Sequence, residues 1–321
     1  MIENPDSEAT PLDDAARAGW LYYVGGLTQD QIARELGVSR QRAQRLVSRA
    51  MAEGLIHVRL EHKIGACLRL EGELTRRFGL GHCRVAPGLG AGADPSRATA
   101  APAAALLETF LARPEPITLA LGTGRALRAM VEELTSQDCA RHRVVSLIGN
   151  IAPDGSASFF DVIIRIADKL NAPHYPMPVP VISETLDEWA AFHALRPVKE
   201  VVRLAQTADV SFVGIGNMGM AAPLVKDGFV TPDQMAEIQA KGAIGELVGG
   251  VFDEAGRYID NGITARMGGI RIKADRNAPV IGVAAGAAKV SAIRAALTGR
   301  LINGLITDEQ TARQLLSAAA K

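Results

Sequence analysis

From about residue 84 onward, short apolar runs alternate with stretches of helical periodicity, and no other feature narrows the fold as much. The runs Ile117–Leu121, Val144–Ile148, Val210–Ile215, Val280–Ala285 and Leu301–Ile306 are apolar with little alternation, as strands buried on both faces are. Between them, Ala126–Leu134, Phe160–Leu170, Pro232–Lys241, Val290–Leu297 and Asp308–Ala318 read as helices. This alternation implies a mostly parallel sheet. The expected fold class is therefore α/β, with residues 84–321 forming one large domain. Composition agrees: aromatics are only 4% while glycines number 32, which favours aliphatic cores and many tight turns. At ~150 residues per domain the 321-residue chain should hold about two domains.

The first 55 residues follow another pattern, into which three helices fit. The first, from about Asp13 to Tyr23, is expected to share one face among Ala16, Trp20 and Tyr23 or Val24. Thr28 opens the second: its hydroxyl can cap free backbone N–H groups, and Gln31 can reach back to complete a capping box. Ile32 and Leu36 form the inner stripe, and Ala33 is small where helices approach. Gly37 sits at a turn that calls for a positive φ. Val38 fills the angle between helices, and Ser39 caps the third. There Ala43, Leu46, Val47 and Ala50 face inward. Arg40, Gln41, Gln44 and Arg45 project outward, with Arg42 near the edge.

A capped short helix supporting a second helix with basic and amide side chains at its start is helix-turn-helix geometry, which sends the second helix into the major groove of DNA. Arginine pairs bidentately with guanine and glutamine with adenine. The expected DNA-contacting residues are Thr28, Gln29, Ser39, Arg40, Gln41, Arg42, Gln44 and Arg45. The alternating run Ile56–Leu60 suggests a winged variant, with His57 or Arg59 near a phosphate. The DNA-binding domain is expected over 1–60. A linker helix is expected over 61–83, with Cys67, Leu70, Leu74 and Phe78 on one apolar face; that face either packs on the α/β domain or helps two chains pair.

Charge and cysteine usage exclude several classes. The 35 basic and 35 acidic residues balance, which argues against a globally basic nucleic-acid binder but not against a local patch. Five arginines lie between Ser39 and Arg59 against one acid, Glu53, whereas Met1–Gly19 holds five acids and one arginine. Cys67, Cys83 and Cys139 lack CxxC spacing, which argues against a disulfide framework or a zinc site. The histidines show no metal-ligand spacing, and no metal or other cofactor is expected. Met1–Pro11 is polar and unlike a signal peptide, and no apolar run reaches the ~20 residues that span a bilayer. A cytoplasmic chain without a membrane partner is expected.

Where the run Ile117–Leu121 ends, Gly122-Thr123-Gly124-Arg125 opens a helix. Backbone N–H groups at such a start can hold an anion or sugar oxygens. Thr123 adds a hydroxyl and Arg125 a positive charge; a plain tight turn is the alternative. Gly214-Ile-Gly-Asn-Met-Gly219 has dinucleotide spacing, but Pro223 follows soon and no acidic ribose partner is placed, so a nicotinamide site is not expected. Asp253–Asn261 reads as a hairpin rather than an ion site.

In order along the chain, Leu27–Gly54, Gly122-Thr-Gly-Arg125, Gly214-Ile-Gly216, Gly242-Ala-Ile-Gly-Glu246, Gly286-Ala-Ala-Lys289, Leu301–Ile306 and Thr307-Asp-Glu-Gln310 resemble the SorC family of sugar-responsive bacterial transcriptional regulators. The resemblance spans nearly the whole chain from about residue 13. It implies an N-terminal helix-turn-helix and a Rossmann-like effector domain related in fold to sugar-phosphate isomerases. It also implies a homo-oligomer, dimer or tetramer, and a sugar, polyol or sugar-phosphate effector. Position by position, Gly122, Thr123, Gly124 and Arg125 fall on the family's ligand loop, and Lys289 on its ligand-contacting lysine. Glu246 falls on an acidic position that accepts hydrogen bonds from hydroxyls, Ser158 on a polar position and Asp161 on an acidic helix position. Two departures stand out: Thr123 where many members have Trp, and Ala126 where Thr is frequent.

The residues themselves agree in part. Arg125 and Lys289 favour a phosphate or polarised oxygen, and Glu246 and Asp161 favour neutral hydroxyls. The plainer readings are a solvated lysine, a structural acceptor at Glu246, and helix capping by Ser158 and Asp161. The expected function is regulation of a carbohydrate or polyol catabolic operon by effector-controlled binding to operator DNA. The competing reading is an isomerase-like enzyme fused to a DNA-binding module, which would need a positioned base and a second acid. No acidic cluster of that kind is evident beside the glycine loop, and no catalytic residue is expected.

Overall fold

Capped helix starts set the geometry of the N-terminal unit. The computed structural model describes residues 10–317 apart from 57, 59–63, 91, 158–161 and 261. In it, α1 (Pro11–Tyr23), α2 (Gln29–Glu35) and α3 (Arg40–Ala52) each follow a hydroxyl-bearing cap. Thr10 and Thr28 make full capping boxes with Asp13 and Gln31, whose side chains each accept the cap residue's N–H at 2.8 Å. Ser39 Oγ accepts the Arg42 N–H at 3.2 Å. Gly37 has φ +62°, as the turn between α2 and α3 demands. Ala15, Ala18, Ile32, Ala33, Ala43, Leu46, Val47 and Ala50 form the core.

That core is rich in alanine, so its helices cross closely. A Cβ on Gly19 would stand 2.8 Å from both Ala50 Cβ and Ile56 Cγ1. The expected face of α1 is corrected for this reason. Ala15, Ala18 and Gly19 turn inward, and Trp20 is left 59% exposed because an indole has no room at the crossing. The expected wing strand Ile56–Leu60 does not form where it is described: Ile56 packs on the helix core and Val58 is half exposed. His57, Arg59 and Leu60 lie outside the described residues.

The chain divides by contacts into Met1–His62 and Lys63–Lys321. The larger unit opens with α4 (Gly65–Phe78), β1 (His82–Ala86), α5 (Pro95–Ala98), α6 (Ala100–Leu111), β2 (Thr118–Leu121) and α7 (Arg125–Glu133). It continues with β3 (Arg143–Ile151), α8 (Ile163–Leu170), β4 (His174–Pro180), α9 (Leu186–Ala194), α10 (Arg196–Gln206), β5 (Val210–Gly214) and β6 (Gly216–Asn217). There follow α11 (Pro223–Lys226), α12 (Pro232–Ala240), β7 (Gly245–Leu247) and β8 (Gly250–Phe252). It closes with β9 (Val280–Val283), α13 (Val290–Thr298), β10 (Gly304–Asp308) and α14 (Glu309–Ser317).

Seven strands form one sheet in the order β1-β10-β9-β5-β2-β3-β4, and every pairing is parallel. Adjacent residues of a strand enter opposite cores. Val145, Val213 and Leu305 meet α4, α10, α13 and α14 on one face. Val144, Phe212 and Ile306 meet α6, α7 and α8 on the other. Continuous apolar runs are the consequence. Several elements were not foreseen, among them β1, α9, α10 and the short strands β6, β7 and β8, and two of the unforeseen stretches have a clear physical reason. The alanine-rich segment Ala98–Ala105 is the end of α5 and the start of α6, and it is largely buried. The proline-bearing β4 is accommodated because it is an edge strand, where a missing N–H costs little.

The helix expected as a linker, α4, buries Cys67, Leu70 and Leu74 in the same core as β1 residues Cys83 and Val85. A second, antiparallel sheet joins β6, β7 and β8. The hairpin at Asp253–Asn261 is present through its described part, with the Asp253 N–H donating to the Arg257 carbonyl at 3.0 Å. Among the described residues no helix is long and apolar enough to cross a membrane.

The α1–α3 crossing can be tested directly. Gly19→Ala should destabilise the three-helix unit by about 1–3 kcal/mol through overpacking. Limited proteolysis of the full chain should then cut α1–α3 faster and leave the larger unit as resistant as before; an unchanged rate would contradict the close crossing.

Candidate functional site

Two surfaces carry the sequence-predicted residues, one in each unit. In the smaller unit Arg40, Gln41, Arg42, Gln44 and Arg45 are all exposed on α3. Two of the arginines are braced: Arg40 Nε lies 3.4 Å from Asp30 Oδ1, and Arg42 Nη2 lies 3.5 Å from Asp14 Oδ2. Such exposed pairs are weak, each about 0–1 kcal/mol, so they orient the guanidinium groups without occupying them for good. Gln41, Gln44 and Arg45 hold no ion pair or side-chain hydrogen bond among the described residues. Their donors and acceptors are open to a base edge. Thr28 and Ser39 are spent as caps, and Gln29 is half-buried in the first turn of α2.

In the larger unit the site follows from the sheet order. Crossovers run outward from β2 to β4 in one direction and from β5 to β10 in the other, so the sheet reverses between β2 and β5. Ligands of open α/β sheets bind beyond the strand ends at such a reversal. After β2 the chain turns through Gly124 (φ +116°) into α7. After β9 it turns through Gly286 (φ +115°) into the 3₁₀ turn Ala287–Lys289 and α13. Only glycine accepts these φ values without strain, and the turns leave first-turn N–H groups with no intrahelical acceptor.

A cavity of about 230 Å³ opens there. Thr123, Gly124, Arg125, Glu246 and Lys289 line it, as does Asn217 at the end of β6. Apolar wall comes from Ile148, Val181, Leu224 and Phe229. Gly122 is buried just behind the loop, and Ser158 and Asp161 lie outside the described residues.

Glu246 is held by the hairpin between β7 and β8. Its Oε1 accepts the Gly249 N–H at 2.5 Å. A Cβ at Gly216 would stand 2.8 Å from Oε2, so that glycine makes room for the carboxylate. The hairpin turn uses Val248 (φ +45°) and Gly249 (φ +81°), the positive-φ pair of a tight hairpin. A β-branched residue in that region stores on the order of 1–3 kcal/mol of strain. Val248 presses toward the ligand loop: its Cγ1 lies 2.9 Å from where a Gly122 Cβ would be. Burial pushes the Glu246 carboxyl above the usual carboxylate range, with the Gly249 N–H and the Lys289 ammonium acting the other way. Burial likewise draws Lys289 below the usual lysine range, against the pull of Glu246 and Asp94.

Two acids escaped the sequence reading. Asp227 Oδ1 lies 3.0 Å from Arg125 Nη2, and Asp94, the cap of α5, lines the same cavity. They join Glu246, the acid that the sequence had already pointed to, in the lining of the cavity. Asp94-Pro95 carries a helix-start signal and Asp227-Gly228 a turn signal. Neither signal points to Arg125, 102 residues from Asp227 along the chain.

Comparison with known proteins finds a family match for each unit. Residues 62–317 match the family described as "Putative sugar-binding domain", and residues 18–62 match the MarR family. The chain is 33% identical over 302 residues to the erythritol catabolism regulatory protein EryD of Brucella abortus, covering 94% of this chain and 96% of that one. It is 33% identical over 311 residues to the transcriptional regulator LsrR of Escherichia coli K12, covering 95% and 94%. The crystal structure of the full-length sorbitol operon regulator SorC from Klebsiella pneumoniae aligns with a TM-score of 0.71 at 27% identity, covering 94% of this chain and 98% of that one.

The raised Glu246 carboxyl has a measurable consequence. A folded-state value above the unfolded one means that the native protein holds a proton the unfolded chain has released. Wild-type stability is therefore lost as pH rises from the unfolded carboxyl value, ~4.3, through the folded one. Glu246→Gln removes that loss, so its melting temperature relative to wild type should rise from pH 5 to pH 8. Losing Glu246 also draws Lys289 further down, which by the same linkage favours the variant as pH rises and so acts in the same direction. A difference that stays flat with pH would contradict the burial of the carboxylate.

Proposed function

The chain belongs to the SorC family of sugar-responsive transcriptional regulators, and from that premise we propose that α3 reads an operator while a sugar, polyol or sugar phosphate lodges where β2, β5 and β9 end. The observation that carries the reading is the cavity beside Gly124 and Gly286, where hydrogen-bonding side chains converge around an apolar wall. A polyhydroxy compound offers donors, acceptors and C–H faces to such a site. Arg45, Gln41 and Gln44 supply base readout, and the braced Arg40 and Arg42 meet the backbone, with an affinity that falls as salt rises.

The reading needs no catalysis. Asp227 is engaged with Arg125 and Glu246 with the Gly249 amide, which suits binding better than proton transfer. The protein acts in the cytoplasm as a homo-oligomer that sets two recognition helices on adjacent half-sites. The effector favours one arrangement of the chains over another and shifts operator affinity by a coupling free energy of ~1–3 kcal/mol.

Paired substitutions separate the two functions. Arg45→Ala should weaken operator binding by about 1–3 kcal/mol while leaving effector-induced thermal stabilisation intact. Lys289→Ala should keep operator affinity and lose the effector response. Fluorescence anisotropy with promoter fragments and thermal shift with candidate carbohydrates read both. Operator binding unchanged in Arg45→Ala, or an effector response unchanged in Lys289→Ala, would overturn the assignment of that residue.

A further inference from the structure

The charge lining the cavity restricts the effector further. Among the described residues three carboxylates, Asp94, Asp227 and Glu246, face two cations, Arg125 and Lys289. Arg125 already has a carboxylate of the same chain against it, and Lys289 shares the cavity with Glu246 and Asp94. Arg125 Nη2 lies 3.0 Å from Asp227 Oδ1, and Lys289 feels the charges of Glu246 and Asp94. Asp227 is half-buried, so solvent screens it incompletely; Asp94 is exposed, and Glu246, whose carboxyl burial pushes up, counts here as a hydrogen-bonding group and not as a fixed charge. A phosphate dianion entering the cavity would have to displace Asp227 from Arg125 or settle beside Lys289 within reach of Asp94. Either course sets like charges together in a site walled by Ile148, Leu224 and Phe229.

A neutral polyol meets no such penalty. Its hydroxyls donate to the carboxylates and accept from the Lys289 ammonium, and the Asn217 side-chain amide can do both. Its C–H faces suit the apolar wall. We propose that the effector is an uncharged polyhydroxy compound, a sugar alcohol or an unphosphorylated sugar, and that Asp227 and Asp94 are specificity determinants that turn away its phosphate ester. This narrows the reading of the preceding subsection and rests on it.

The test uses the full chain in thermal-shift and calorimetric titrations. Erythritol, ribitol and sorbitol are each compared with their terminal monophosphates and with inorganic phosphate alone. The expected result is that at least one uncharged polyol binds. Its phosphate should bind weaker by roughly tenfold or more, as one incompletely screened repulsion dictates, and inorganic phosphate should have no effect. Asp227→Asn should narrow that gap by leaving Arg125 without its carboxylate. Asp94→Asn, in which the amide still caps α5, should narrow it too and covers a failure of the first variant to fold. A phosphate ester that binds wild type more tightly than its parent polyol overturns the proposal and leaves the sugar-responsive reading standing. So does a gap that persists in whichever variants fold. If no compound of either kind binds, the sugar-responsive reading fails and the proposal falls with it.

Discussion

Three parallel strands, β2, β5 and β9, end side by side at the point where the sheet reverses direction, and the effector site follows from that constraint. Neighbouring crossovers diverge there, which leaves a crevice beyond the strand ends. Gly124 and Gly286 then turn the chain out of β2 and β9 at once, in conformations that a side chain would oppose. Thr123, Arg125 and Lys289 are hung from these two turns, Asn217 and Glu246 from the small antiparallel sheet, and Asp94 and Asp227 from the ends of α5 and α11. The positive-φ Val248 shows that the hairpin is held in place by its surroundings, since an isolated turn of that kind would select another residue.

Charge decides what such a crevice can hold. Helix starts beside glycine turns are good anion sites in general, and Arg125 and Lys289 would strengthen one. Here Asp227 has been set against Arg125, and Asp94 and Glu246 share the cavity with Lys289, which on the proposal above turns the site from one that attracts a net negative group to one that sorts hydroxyls by donor and acceptor. The smaller unit divides its charge in a similar way. Acids on α1 and α2 brace Arg42 and Arg40, while Arg45 and its glutamine neighbours have no such brace among the described residues.

Much of this was legible in the residues. Strands covered on both faces leave continuous apolar runs, because Val144 and Val145 must satisfy different cores. The capping boxes of α2 and the cap of α3 are local chemistry and could be read from spacing alone. What escaped depended on tertiary context. The prolines of β4 disguise a strand that is tolerated only at an edge. The inward face of α1 is made of Ala15, Ala18 and Gly19 because α3 comes too close for Trp20, a fact about the partner helix and not about α1. Gly122–Arg125, Glu246 and Lys289 were found through glycine turns and family resemblance. Asp94 and Asp227 were not, since each sits in an ordinary cap or turn and gains its role only from folding.

The proposed regulation requires energetic coupling between the cavity and the recognition helix. It is tested most directly by measuring operator affinity across a titration of the binding carbohydrate, and carbohydrate affinity across a titration of operator, at one salt concentration. Linkage requires the two factors to be equal, and the account predicts a common value of roughly 5- to 150-fold. Affinities that stay independent of one another would contradict it.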